Sequence, residues 1–102
     1  MTVKYQIIYW RDIPAQVKAR VGRERKSQPL PERFEKAIDR AAMYAGLINS
    51  DDYLAEWRAG EWQEQEGDPD EVVRAVVAEL DAAYPDSRLR EMARNSGYDT
   101  AP

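Results

Sequence analysis

The chain begins with two segments in which apolar side chains recur at every second position. Residues 3–10, VKYQIIYW, are β-branched and aromatic, and residues 15–22, AQVKARVG, alternate apolar with mostly polar residues. This period of two is typical of β-strands. Asp12 and Pro14 in the short connection favour a turn and a strand start. We therefore predict an antiparallel hairpin, because a parallel pair needs a connection of about a dozen residues or more.

Four later segments have apolar side chains spaced as on one face of a helix. These predicted helices cover residues 31–46, 49–57, 68–85 and 86–94. Their ends carry the expected signals, with Ser50 and Asp68 as N-caps and Gly46 after the last turn of the first helix.

The remaining segments are polar. Residues 23–31, RERKSQPLP, predict a loop or a projecting strand end, and residues 61–67, EWQEQEG, predict a short edge strand. We expect residues 94–102 to form a flexible tail of a single domain that covers residues 1–102. The predicted order is β-β-α-α-β-α-α. This order indicates an α+β fold in which a small antiparallel sheet packs against three to four helices, the first and third of them on one sheet face.

Composition narrows the chemistry that the chain can perform. The sequence contains neither cysteine nor histidine. Thiolate nucleophiles, Ser-His-Asp triads, and metal sites built on Cys or His are thereby excluded. The acidic run between Glu61 and Glu71 does not follow the ligand order of a calcium-binding loop. We therefore expect no metal and no cofactor, and only carboxylate, Lys, Arg or Tyr chemistry remains for an enzyme.

Charge is distributed unevenly along the chain. Residues 1–40 hold ten Lys/Arg and five Asp/Glu, whereas residues 41–102 hold five and fourteen. Such a bipolar chain can steer a charged partner, although two merely solvated surfaces also explain it. The first residues lack the pattern of a secretory signal, and no apolar run approaches the length of a membrane span. We expect a cytoplasmic protein without membrane association.

The cluster Trp10, Arg11 and Asp12 is a candidate interaction site. Trp and Arg are enriched at the energetic centres of protein interfaces, and an Arg fork matches a carboxylate or a phosphate. The alternative is a structural turn in which Trp10 is buried and Arg11 pairs with a carboxylate of the same chain.

The predicted hairpin carries a basic arm that is a second candidate. Its cations are Lys18, Arg20, Arg23, Arg25 and Lys26, and Glu24 lies among them. These side chains suit an acidic protein or the phosphates of a nucleic acid. Nucleic acid is the less favoured partner, because the sequence pI is ≈ 4.9 and no aromatic residue alternates with the basic ones.

Aromatic side chains are concentrated after the first predicted helix. They are Tyr44, Tyr53, Trp57 and Trp62. Rings in this pattern either line a ligand pocket or belong to the core, and the core is the commoner place for them.

Three stretches of the chain resemble a known family. They are YQIIYWRDIPAQVKAR (5–20), LPERFEKAIDRAAMYAGL (30–47) and SDDYLAEWR (50–58). The resemblance is to a small bacterial family named only virulence factor, and it is looser over residues 59–102. The name describes a phenotype, and no catalytic residues can be transferred from it. The resemblance implies an accessory role beside folate-linked and corrinoid methyl-transfer enzymes of bacterial one-carbon metabolism.

Together these features favour a non-enzymatic protein-interaction module that serves a larger enzyme as an accessory subunit. This interpretation is based on the absence of His and Cys, the bipolar charge pattern and the aromatic and basic residues of the predicted hairpin. Two alternatives remain open: a nucleic-acid-binding protein that uses the basic arm, and a small enzyme that uses carboxylates and tyrosine. We expect a protein partner, and the sequence does not indicate an oligomeric state.

Overall fold

The computed structural model describes residues 2–47 and 50–99. Within these ranges the chain forms one antiparallel sheet of five strands. The strands are β1 (Thr2–Trp10), β2 (Ile13–Val21), β3 (Glu24–Pro29), β4 (Trp57–Ala59) and β5 (Gln63–Glu66). Their order is β3-β2-β1-β4, and β5 pairs with the first half of β1 while β4 pairs with its last residues.

The predicted hairpin is confirmed as the centre of this sheet. β1 and β2 pair antiparallel, with Ile7 opposite Val17. A register shift between Ile8 and Tyr9 interrupts the alternation. Trp10, which strict alternation places on the side opposite to Ile7, is fully buried as a result.

The helices begin and end close to the predicted positions. They are α1 (Glu32–Ala45), α2 (Asp51–Ala55), α3 (Pro69–Ala83) and α4 (Asp86–Arg94). Ser50 accepts a hydrogen bond from the Tyr53 N–H, Asp68 accepts from two N–H groups of α3, and Gly46 ends α1 in the left-handed conformation. Over residues 2–47 and 50–99, none of the helices combines the length and the apolar character needed to cross a membrane.

One core joins the sheet to the helices and confirms the α+β fold class. α1 and α3 pack on β2, and α4 packs on α1. The apolar faces of α1 and α3 share a single buried cluster with Val3, Ile7, Val17 and Ala19 of the hairpin. At the alternate positions of the same two strands, Lys4 and Lys18 are exposed, and Gln6, Ile8, Gln16 and Arg20 are half-buried. The helices therefore cover one face of the sheet and leave the other face open.

Two strands were not predicted as such. Residues 24–29 form the edge strand β3 in full, and residues 57–59, which begin at the last residue of the predicted second helix, form β4. The observed order is accordingly β-β-β-α-α-β-β-α-α. Nearly all side chains of β3 and β4 are exposed, so neither strand has an apolar alternation from which it can be recognised. Each strand forms because a neighbouring strand supplies its backbone hydrogen-bond partners, β2 for β3 and β1 for β4.

The segment after α4, the first part of the predicted flexible tail, contacts the β1–β2 turn. The Asp12 N–H donates to the Gly97 carbonyl at 2.9 Å, and the Asp99 N–H donates to the Asp12 carboxylate at 2.9 Å. Gly97 is buried against the Trp10 ring. Residues 95–99 are thus held on the β1–β2 turn, and residues 100–102 of the predicted tail lie outside the described residues.

Candidate functional site

The open face of the sheet carries a group of cations from β2 and β3. Antiparallel pairing places Arg20 opposite Arg25 and Lys18 opposite Ser27. Because residues two apart on a strand share a face, Lys18 and Arg20 point the same way. With Trp62, these side chains form what we call the cationic face: Lys18, Arg20, Arg25 and Trp62.

Trp62 reaches this face from the other edge of the sheet. Its ring is 44% exposed, and the Arg20 guanidinium carbon lies 4.8 Å from the ring centroid. Trp62 stands between β4 and β5, which both pair with β1. The same connection is fixed by Gly60, whose N–H donates to the Ile7 carbonyl at 2.8 Å. Sequence analysis did not join Trp62 to the basic arm, because only the sheet order brings them together.

The cationic face surrounds a shallow concavity of about 310 Å³. Among the described residues, Lys18, Arg20 and Arg25 have no ion-pair partner. Like charges directly opposite each other across two strands are destabilising, and Arg20 faces Arg25 in this way. An anionic group bound between them relieves this repulsion. The arrangement is therefore suited to binding carboxylates or phosphates.

The other two predicted cations of the arm are not part of the cationic face. Arg23 is exposed in the turn between β2 and β3 and does not line the concavity. Lys26 lines it, but its ammonium lies 3.8 Å from an Asp70 carboxylate oxygen. Of the cations predicted for the arm, Lys18, Arg20 and Arg25 thus belong to the cationic face. Arg23 and Lys26 lie outside that set.

Trp10 and Arg11 lie elsewhere, where the β1–β2 turn meets other segments. The Trp10 side chain is fully buried, and its indole N–H donates to the Tyr53 carbonyl at 2.9 Å. Arg11 stacks on Trp10 and Tyr98, with its guanidinium carbon 5.2 Å and 4.7 Å from the two ring centroids. It also donates to the Ser96 carbonyl at 2.8 Å. These contacts link segments of the fold and are separate from the cationic face.

Asp12 completes the same junction. Its carboxylate accepts from the Arg58 guanidinium at 3.3 Å as well as from the Asp99 N–H. The Arg58 guanidinium carbon lies 4.4 Å from the centroid of the Tyr9 ring. The Asp12 carboxylate therefore has two hydrogen-bond donors within its own chain, Arg58 and Asp99.

Carboxylate chemistry finds little support in the described part of the chain. No group of three Asp or Glu side chains in that part is arranged to hold a metal ion. The Thr2 hydroxyl donates to Glu66 and lowers the pKa of that carboxyl. A general acid at neutral pH needs a raised pKa, so the shift at Glu66 has the opposite direction.

The fold and the cationic face define a small α+β domain with helices on one side of its sheet and a charged surface on the other. A model of the family described as "Virulence factor" matches residues 8–93, and the chain belongs to this family. The resemblance noted in the sequence is thereby confirmed.

A longer relative carries the same domain. The chain is 37% identical over 93 residues to the uncharacterized protein YpgR of Bacillus subtilis (strain 168). The match covers 88% of this chain. The chain spans only 22% of the length of YpgR. No solved structure matches the chain.

Proposed function

We propose that this domain is a protein-binding module that holds an acidic segment of a partner protein on its cationic face. The observation that carries the proposal is the group of Lys18, Arg20 and Arg25 around an exposed Trp62. None of these three cations has an ion-pair partner in the described part of the chain, so their charge is available to a ligand. Rim charges of this kind accelerate association and select partners of opposite sign.

The shape of the surface favours an extended polypeptide. The concavity follows the β2–β3 ladder, where neighbouring cations on one strand are about 7 Å apart. Alternate side chains of an extended peptide have the same spacing. A segment with Asp or Glu at every second position therefore matches Lys18 and Arg20 in register.

The comparison with YpgR supports a role beside other protein segments, since about four fifths of that protein lies outside the match. The resemblance to the bacterial family supports a more specific setting. We place the domain in the bacterial cytoplasm as an accessory subunit of a folate-linked or corrinoid methyl-transfer enzyme.

A defined peptide tests the proposal. A fluorescent ten-residue peptide that alternates Glu with Ser is titrated against the full chain at low and at physiological salt. We expect binding that weakens with salt and falls about tenfold in Lys18→Gln/Arg25→Gln, because two charge contacts are lost. The matched control is Arg74→Gln/Arg94→Gln, which removes two exposed cations of α3 and α4. Equal binding by both variants contradicts the proposal.

A nucleic acid is the second candidate partner, and Trp62 is the observation that favours it. The structure supplies beside Arg20 the aromatic ring that the basic arm lacks in sequence. Bases stack on such rings while cations contact the phosphates. In the same assay, a single-stranded oligonucleotide of equal charge replaces the peptide. Tighter binding of the oligonucleotide, lost in Trp62→Ala and steeply dependent on salt, selects this function instead.

A further inference from the structure

A second concavity of about 260 Å³ lies between α1, the α2 region and the end of the β2–β3 ladder. Its charge is opposite to that of the cationic face. We call it the aromatic pocket and define it by four residues: Glu35, Asp39, Tyr53 and Trp57. Ala15, Gln16, Pro29, Leu30 and Ile38 complete its lining.

Two aromatic rings form one wall of the aromatic pocket. Tyr53 and Trp57 are perpendicular, with an interplanar angle of 90° and ring centroids 6.3 Å apart. Tyr53 also packs on the buried Trp10 ring at 5.5 Å. Trp57 pairs through its backbone with Trp10, and its side chain is 38% exposed. The rings are thus held by the core and still present surface to a ligand.

Two carboxylates form the facing wall. Glu35 and Asp39 are one helical turn apart on α1, and within residues 2–47 and 50–99 neither has a hydrogen bond or an ion pair. Like charges at this spacing destabilise a helix by a few tenths of a kcal/mol. Burial raises the pKa of the Tyr53 phenol, and the charges of Asp39 and Glu35 raise it further. The field of both carboxylates therefore reaches the ring.

We propose that the aromatic pocket binds the guanidinium head of an arginine side chain from a partner polypeptide. A flat organic cation stacks on the faces of Trp and Tyr and donates in a fork to carboxylates. The pocket offers both kinds of partner at once. A hard metal ion is a poorer match, because it needs more oxygen ligands than two carboxylates and gains nothing from the rings. This site is independent of the cationic face and does not require an acidic ligand there.

The test uses small probes with the full chain. The Trp57 indole N–H is followed by NMR while N-acetyl-arginine amide is added, and N-acetyl-citrulline amide serves as the neutral isostere. We expect a saturable shift with the arginine probe and none with the citrulline probe. The apparent affinity falls about tenfold in Glu35→Gln/Asp39→Asn, because the charge contacts are removed.

Matched variants separate binding from folding. Glu32→Gln/Glu79→Gln removes two exposed carboxylates outside the pocket and is expected to leave the affinity unchanged. Should the pocket double variant not fold, Trp57→Leu removes one ring and is read at the backbone amides of residues 53 and 57. The proposal is overturned if the citrulline probe causes the same NMR shift as the arginine probe, or if the arginine probe causes none. It is also overturned if Glu35→Gln/Asp39→Asn binds the arginine probe as well as the native chain does. A response to N-acetyl-lysine amide alone overturns the choice of guanidinium.

Discussion

At the residue scale, Gly97 lies in close contact with the Trp10 ring. Gly97 has φ +95°, a conformation that side-chain-bearing residues rarely adopt. A β-carbon added there meets Trp10 Cζ3 at 2.8 Å and Arg11 Cβ at 3.3 Å. Glycine is therefore required at this position both by backbone conformation and by the approach of the indole ring.

We expect Gly97→Ala to lower the free energy of unfolding by about 3 kcal/mol, because backbone strain adds to overpacking against the core. The control is Gly46→Ala, which has φ +73° but no atom within 4 Å of the added carbon. Strain alone then costs about 1 kcal/mol. Urea denaturation of both variants measures the difference, and equal losses contradict the steric contribution.

Sequence reasoning could not find this fit. Gly97 lies in NSGYDTAP, a polar segment without periodicity, and Trp10 lies at the end of an apolar run. The two are far apart in the chain, and only the docking of residues 95–99 on the β1–β2 turn brings them together. Local patterns predict conformations, and they carry no information about which distant segment fills a gap.

At the scale of elements, the predictions succeeded wherever a segment contains its own signals. Ser50, Asp68 and Gly46 are caps that follow from local chemistry, and each is confirmed. The hairpin followed from alternation in β1 and β2. β3 and β4 were missed because their side chains are exposed and their hydrogen bonds depend on β2 and β1. Arg25, the member of the cationic face on β3, was therefore predicted to lie in a loop or a projecting strand end.

The Asp68 cap gives an element-scale prediction. Its carboxylate accepts from the N–H groups of Asp70 and Glu71, at 3.1 Å and 3.4 Å. We expect Asp68→Ala to lower the free energy of unfolding by about 1 kcal/mol, because two N–H groups at the start of α3 lose their acceptor. Asp68→Asn keeps an acceptor and is expected to stay within a few tenths of a kcal/mol of the native chain. Thermal and urea denaturation distinguish the two, and an equal loss in both attributes the effect to charge.

At the scale of the whole molecule, the cationic face and the aromatic pocket both take their charged groups from the basic part of the sequence, residues 1–40. The cationic face uses Lys18 and Arg20, and the neighbouring aromatic pocket includes Gln16, two residues earlier on the same strand. The pocket carboxylates belong to α1, which lies in the basic part of the sequence. The bipolar sequence therefore did not predict which surface has which sign.

Truncation of the chain tests whether residues 95–99 stabilise the fold. A chain that ends at Arg94 loses the acceptor at Ser96 for Arg11 and both hydrogen bonds between Asp12 and residues 97 and 99. We expect it to lose at least about 3 kcal/mol of stability, since a largely buried guanidinium is left with fewer partners. A chain that ends at Asp99 keeps these contacts and is the control. Similar denaturation curves for both chains contradict a structural role for residues 95–99.

The position of Trp62 between two short ladders on the same edge has a kinetic consequence. β4 and β5 hold the connection at both ends, so the indole is already oriented beside Arg20 before any ligand arrives. Preorganisation of this kind lowers the entropy lost when a complex forms. We therefore expect capture of the proposed ligand on this face to require no loop closure, and its rate to follow electrostatically steered diffusion rather than a conformational step.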